Sequence, residues 1–479
     1  MTDRTGFFDG VYDFTRNNLR TLRSLRARWR ELAGAARSAA PAVLTDDAAD
    51  RLREQMQECL DARGGEVSAR ARAAGLGQAY LALSAPGRER FLQILAGDFD
   101  IDHDAVDAAC QRLAHARGDD EKRRVERALR QALEPPRLRL LTQFNALPSG
   151  VKFLVDMRAE LMKLAHHSEP LNALEHDLRS LLANWFDEGF LEIRQITWEA
   201  PAALLEKLMV YEAVHEIRGW SDLKNRLEAD RRCFAYFHPR MPDEPLIFVE
   251  VALVKGMADN VQSLLDEAAP VGDPASADSA IFYSISNCQK GLVGISFGDF
   301  LIKRVVDALA TELPRLRNFA TLSPAPGFRV WLKAEAERGG LLLASEVRAI
   351  QALAGDPGDN DPDGLLLLLL DRPGWHEDRQ TAGALRDPLL RLVARYLLQA
   401  RAASGRALDP VAHFHLSNGA RVERLNWLGD VSPKGLQQSA GIMVNYLYRL
   451  EHIEDNHEAY RDEGRVAASS SVRGLLRAT

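Results

Sequence analysis

Between Val411 and Tyr448 the chain gathers five side chains able to move or orient protons: His413, His415, Asn445, Tyr446 and Tyr448. An imidazole titrates near neutral pH, a phenol donates a hydrogen bond, and a carboxamide can orient either. A histidine facing an amide and two phenols is a proton-transfer arrangement if the backbone brings them together. The plain alternative is a set of hydrogen-bonded polar groups in a core. Asn418-Gly419 lies between two short alternating runs, 411–416 and 421–427. Asn-Gly tolerates the positive φ angles of a type I′ turn, so the spacing predicts a β-hairpin. Alternation along its first strand places His413 and His415 on one face and Phe414 on the other. Gly435 then opens a helix-like run, Leu436 to Leu450, that carries Asn445, Tyr446 and Tyr448.

A second candidate runs from Gln289 to Asp299, where three glycines join a strand signal to a helix signal. Glycines let a ligand approach the backbone, and the free N–H groups of a helix start favour an anion. Lys303 and Arg304 add charge one turn later. Phosphate binding and a tight strand-to-helix turn both fit this composition. Gly294-Ile295-Ser296-Phe297-Gly298 also matches G-x-S-x-G, which makes Ser296 a candidate nucleophile of a serine hydrolase. The antiparallel pair that opens this region and the scarcity of parallel β-α units count against that reading.

The remaining composition narrows the function classes. Hydrophobic residues make up 46% and charged residues 27% of the 479 positions, as in an ordinary globular protein. A net charge of −7 gives no electrostatic case for nucleic acid. No apolar run approaches a membrane span, since the six leucines Leu365 to Leu370 are bounded by Asp-Pro-Asp-Gly and Asp-Arg-Pro. Cys59, Cys110, Cys233 and Cys288 are widely spaced, which indicates neither a disulfide framework nor a zinc site. A reducing compartment, the cytoplasm, fits best. The arginine-rich N-terminus carries Asp3, Asp9, Asp13 and Glu31, unlike a transit peptide, and Leu19, Leu22, Leu25, Trp29 and Leu32 form a helical stripe.

Residues 1–190 carry almost only helix signals, with breaks at Ala40-Pro41, Gly64-Gly65, Pro86-Gly87, Gly118 and Pro135-Pro136. They predict an all-α domain of six to nine helices with a scaffold or oligomerisation role. Residues 191–460 alternate strands (233–237, 246–254, 280–286, 319–322) with helices (262–268, 300–313, 328–337, 384–402), which predicts a mixed sheet flanked by helices. The fold class is therefore α+β, a helical domain followed by a mixed α/β catalytic domain. Residues 461–479, with Ser469-Ser470-Ser471, read as a polar tail.

Several segments together resemble the malonyl-CoA decarboxylase family. They are Ile281 to Ser286, Gly291 to Val306, Leu322-Ser323-Pro324-Ala325-Pro326-Gly327-Phe328, Phe414-His415-Leu416 with Asn418-Gly419-Ala420, Asn426-Trp427, Asp430-Val431-Ser432 and Asn445-Tyr446. Order and spacing agree across about 280–450, and the helical first half is also what the family has. The resemblance implies a catalytic domain of the GNAT acetyltransferase fold that binds coenzyme A at a strand-to-helix loop. It implies Ser323 and His415 as catalytic residues and Tyr448 as an active-site tyrosine. Acyl-CoA contacts fall along Val293, Gly294, Ile295, Ser296, Phe297, Gly298 and Asp299, with Asn445 also on the substrate side. The family carries glutamate where this chain has Ser296, a departure that argues against Ser296 as a nucleophile.

The implied reaction, malonyl-CoA to acetyl-CoA and carbon dioxide, suits these residue types. The substrate's thioester carbonyl is the electron sink, so no organic cofactor or metal is expected. His415, near an ordinary pKa of about 6.5, serves as proton donor to the α-carbon. Ser323, on a loop stiffened by Pro324 and Pro326, hydrogen-bonds the carboxylate or relays a proton, and it also suits a cap for the helix at Phe328. An acetyltransferase on the same fold and a non-catalytic acyl-CoA sensor are the rivals. The expected partners are malonyl-CoA and acetyl-CoA, in a homo-oligomer, dimer or tetramer.

Overall fold

The computed structural model describes residues 44–61, 65–145, 147, 149–295, 301–354 and 361–477. The helical stripe at 19–32, the break at Ala40-Pro41 and the loop residues Ser296, Phe297, Gly298 and Asp299 lie outside the described residues. Two compact units divide the rest. The first comprises the described residues of Met1–Leu191, His238–Pro242 and Gln289–Ser296, and the second those of Glu192–Phe237, Asp243–Cys288 and Phe297–Thr479.

The first unit is helical: α1 (Asp46–Leu60), α2 (Gly65–Ala82), α3 (Ala85–Gly97), α4 (His103–His115), α5 (Asp119–Ala132), α6 (Pro136–Asn145), α7 (Gly150–Leu164) and α8 (Glu169–Trp185). Caps set several of these starts. Ser84 accepts from the Gly87 N–H with Pro86 in the first turn, and Asp102 accepts from the Ala105 N–H. Apolar spacing of three and four turns one face inward, so that Leu171, Leu174, Leu178 and Leu182 of α8 are all buried. Tyr80 meets Phe91 and Phe153 edge-on in this core, at 5.0 and 5.6 Å between centroids.

The second unit is built on an eight-stranded sheet of order β1-β2-β3-β4-β5-β8-β6, with β7 beside β8. The strands are β1 (Glu192–Ile196), β2 (Arg231–Phe237), β3 (Ile247–Val254), β4 (Ser279–Asn287), β5 (Asn318–Thr321), β6 (Ser323–Pro324), β7 (Arg421–Asn426) and β8 (Met443–Tyr448). Its helices are α9 (Ala202–Tyr211), α10 (Trp220–Asn225), α11 (Val261–Leu264), α12 (Leu301–Glu312), α13 (Phe328–Ala336), α14 (Ala344–Ala354), α15 (Pro362–Asp371), α16 (Arg379–Gln399), α17 (Pro410–Ser417), α18 (Pro433–Ser439), α19 (Ile453–Glu463) and α20 (Ser470–Leu475). β4 and β5 run parallel and the other pairs antiparallel. β5 pairs with β4 only from Ser279 to Phe282, after which β4 continues without it.

Two expectations fail around the site. Residues 411–416 form helix α17 instead of a hairpin strand, because Asp409 caps it through the Val411 and Ala412 N–H groups and Pro410 takes the first helical position. Asn418 and Gly419 are that helix's C-terminal turn, with Gly419 at φ +80°. The run from Leu436 is no long helix. It stops at Ala440 and Gly441, both at positive φ, and Met443 to Tyr448 become β8, as their β-branched and aromatic content favours. The segment read as a polar tail is also built in, since Ala468 bridges Val422 and Val472 of α20 is buried.

A buried ionic group sits under the sheet. Arg226 donates to Asp222 at 2.9 Å and to Glu250 of β3 at 3.0 Å, and all three are about 2% exposed. Burial pushes Glu250 up to about 8 although Arg226 pulls it down. Replacing Arg226 by Met strands two carboxyl groups without their cation. The substitution is expected to cost about 3–5 kcal/mol in urea unfolding, whereas a loss below 1 kcal/mol would contradict this account.

Candidate active site

His415 sits in the last turn of α17 and is 2% exposed. Its helical neighbour His413, two residues back, points elsewhere and bonds the Tyr460 hydroxyl at 2.8 Å. The two histidines that a strand would place together are thus separated by helical geometry. His415 Nε2 lies 3.1 Å from the Ser323 hydroxyl, and its Nδ1 lies 2.8 Å from the Tyr448 hydroxyl. The ring stacks on Tyr446 at 4.6 Å and meets Phe414 edge-on at 5.2 Å.

Ser323 reaches this point as part of β6, where it pairs with Val444 of β8. It does not cap α13, whose cap position is Gly327 and has no side-chain bond. Asp409 does the joining. One carboxylate oxygen accepts from the Val411 and Ala412 N–H groups, at 3.0 and 2.9 Å. The other accepts from the Gly327 N–H at 3.3 Å and the Tyr396 hydroxyl at 3.2 Å. The segment after Ser323 and the helix of His415 are therefore held by one buried group. Sequence reading missed Asp409 and Tyr396, although Asp409-Pro410 is a helix-start signature.

Strand alternation in β8 decides the remaining candidates. Val444, Tyr446 and Tyr448 share one face and Asn445 takes the other. Asn445 is saturated there. It donates to the carbonyls of Thr321 (2.7 Å) and Ala258 (3.0 Å) and accepts from Arg424 (3.0 Å) and Asn426 (2.9 Å). An amide has two N–H groups and two lone pairs, so Asn445 has nothing left for a substrate, contrary to expectation. It instead ties β8 to β7 and to the residue before Leu322.

Burial sets the protonation states. Desolvation pushes His415 down to about 3, so its imidazole is neutral at physiological pH and not the near-neutral titrating group expected. The same cause pushes the Tyr448 and Tyr446 phenols well above their ordinary range. The Ser323–His415–Tyr448 array is uncharged throughout.

Val293, Gly294 and Ile295 belong to the helical unit. Leu292 and Ile295 are buried, and Val293 is 55% exposed. Arg158 of α7 donates to the Gly291 and Val293 carbonyls at 2.6 and 3.0 Å, and Arg179 of α8 to the Gly294 carbonyl at 2.8 Å. Among the described residues no group of three or more His, Cys, Asp or Glu is arranged to hold a metal ion. No helix among them is long and apolar enough to cross a membrane.

Known proteins share this architecture and sequence. Residues 99–186 match the malonyl-CoA decarboxylase N-terminal domain, and 189–479 match the malonyl-CoA decarboxylase C-terminal domain. The mitochondrial malonyl-CoA decarboxylases of Rattus norvegicus and Anser anser anser are 38% and 37% identical over 409 residues, covering 81% of this chain and 82% and 80% of theirs. Crystal structures of malonyl-CoA decarboxylase from Rhodopseudomonas palustris and Cupriavidus metallidurans are 43% and 40% identical. They superpose with TM-scores of 0.81 and 0.70 and cover 89% and 90% of this chain and 99% and 100% of theirs. With both halves matched in order and the relatives aligned over most of their length, the chain belongs to the malonyl-CoA decarboxylase family of carbon–carbon lyases.

Proposed function

We propose that this chain converts malonyl-CoA to acetyl-CoA and carbon dioxide at the Ser323–His415–Tyr448 array. The observation that carries the reading is the pair of bonds through one buried imidazole, Nε2 to Ser323 and Nδ1 to Tyr448. The bond between the carboxylate carbon and the α-carbon breaks, and its electron pair enters the thioester as an enolate while carbon dioxide leaves. The α-carbon then takes one proton, which the protein recovers from solvent. Tyr448, kept as a phenol by burial, donates to Nδ1 and so leaves the proton of His415 on Nε2, facing Ser323. The Ser323 hydroxyl is then free to donate to the substrate and be refilled from Nε2–H. A neutral imidazole suffices as the source, because a thioester enolate is a far stronger base than the groups an imidazolium usually serves.

The neutral site also bears on the carboxylate. Charge localised on a carboxylate is poorly accommodated where His415 is 2% exposed and walled by aromatic rings, whereas the enolate spreads it. The coenzyme part is assigned to the loop from Val293 to Asp299, on the family likeness of that loop. The chain is read as a homo-oligomer, dimer or tetramer, for which exposed large apolar side chains such as Phe190 and Val210 supply contact surface. A reducing compartment, the cytoplasm, suits its four unpaired cysteines, while the vertebrate relatives are mitochondrial by name.

Incubating the purified protein with malonyl-CoA and no added cofactor should yield acetyl-CoA by mass, and an unchanged substrate overturns the reading. Ser323→Ala and His415→Ala should each lower kcat by ~100-fold or more, the usual scale for a positioned acid or base. Tyr448→Phe removes one hydrogen bond and should cost about 10-fold. Turnover that survives both dyad substitutions, with transfer to an added amine, would favour an acetyltransferase instead.

The depressed pKa of His415 has a definite sign. Between about 3 and its ordinary 6.5 the unfolded chain binds a proton that the folded chain refuses, so stability falls as pH falls through that window. Thermal melts should show His415→Gln losing less stability than the parent from pH 7 to pH 4, by about 3 kcal/mol. The kcat profile should lack an ionisation near 6.5, and an acid limb centred there would mean that the working imidazole is hydrated.

A further inference from the structure

We infer that Arg158, in the helical unit, is a positioning residue for substrate binding: it sets the backbone from Gly291 to Ile295, where the acyl-CoA loop begins. The inference rests on the assignment of that loop to the coenzyme. It gives the helical unit a part in ligand recognition beyond the scaffold role that its sequence suggests.

Arg158 is 2% exposed and makes four hydrogen bonds. Its Nε and one Nη bond the same Glu175 oxygen at 2.9 and 2.6 Å, which fixes the guanidinium plane. The other Nη donates to the Gly291 and Val293 carbonyls. A buried cation that spends two of its four hydrogen bonds on the Gly291 and Val293 carbonyls specifies the backbone there, because releasing it would leave a desolvated charge underbonded. Gly291 closes the joint: a Cβ there would stand 1.7 Å from the Val155 carbonyl oxygen of α7, so backbone lies on backbone. Leu292 and Ile295 are buried on either side of the exposed Val293.

The peptide geometry gives this anchor a directional result. In a trans peptide the C=O and the following N–H point in opposite directions. Arg158 draws the Val293 carbonyl inward, so the Gly294 N–H is turned outward. The Val293 N–H and the Ile295 N–H are spent on the Lys290 and Leu292 carbonyls. Gly294, at φ +76°, holds a conformation that side chains resist, and its own carbonyl is fixed by Arg179. The Gly294 N–H is thereby aimed as a donor to an acceptor oxygen of the coenzyme chain, a phosphate or an amide carbonyl. The donor's direction comes from a guanidinium more than 130 residues earlier in sequence.

Steady-state kinetics with malonyl-CoA and calorimetric titration with free coenzyme A, on the full chain, test this. Arg158→Met should raise KM at least ~10-fold and weaken coenzyme A to the same degree, with kcat within about 3-fold, the pattern of lost ground-state binding. Arg158→Lys keeps the charge on Glu175 but not the planar fork and should recover only part of the loss. A folded Arg158→Met with parental KM and coenzyme affinity overturns the inference. Gly294→Ala tells its failure from that of the loop assignment. If Gly294→Ala raises KM while Arg158→Met does not, the anchor is wrong and the loop assignment stands. If neither moves KM or coenzyme affinity, the loop assignment itself falls. Should Arg158→Met fail to fold, the exposed Arg179→Ala removes one of the three carbonyl contacts. It should raise KM about 3-fold at constant kcat, and an unchanged KM there overturns the inference as well.

Discussion

The carboxylate of Asp409 is the constraint on which the site's geometry rests. It is fully buried, and burial drives its pKa up, which weakens it as an anion. Four donors oppose that: two N–H groups at the start of α17, the Gly327 N–H and the Tyr396 hydroxyl. The four donors serve three requirements. The first two start the helix that carries His415, and the third fixes the chain four residues after Ser323. The last comes from α16 and braces the group from behind. Charge-assisted bonds of this kind are about twice as strong as neutral ones, and they tie the helix of His415 and the segment after Ser323 to one group.

A second constraint is the absence of charge in the Ser323–His415–Tyr448 array. An imidazole pressed between Tyr446 and Phe414 is disfavoured as a cation, and a phenol in the same enclosure is disfavoured as an anion. Both stay neutral, which fixes who donates and who accepts. The reading of His415 as a group poised near 6.5 fails for this reason: its burial was not visible in the sequence.

Much of the fold was legible, and the limits are instructive. β2, β3 and β4 are continuous apolar runs of strand length, and α12 and α13 follow glycine and proline breaks, so pattern alone located them. Ser323, His415 and Tyr448 were named from the family resemblance, and no periodicity would have joined residues 92 and 33 positions apart. Asn418-Gly419 misled because the same dipeptide serves a hairpin turn and a helix C-terminus. Asp409-Pro410, nine residues earlier, was the signal that would have decided between them. Asn445 misled differently. A conspicuous amide beside two phenols looks like a ligand, yet alternation in β8 turns it to the opposite face, where four partners saturate it.

The contact between Gly291 and the Val155 carbonyl has a consequence for how such a protein can be divided. A cut at the boundary read from the linear sequence would leave Arg158 of α7 with unfilled donors, while the excised half would carry a short segment that has lost its seat against Val155. Each half cut there lacks contacts that the other carries. Exchanging one of them with a homologue would demand matched changes at Val155, Arg158 and Gly291 together, so recombination should respect this seam and not the composition break near residue 190.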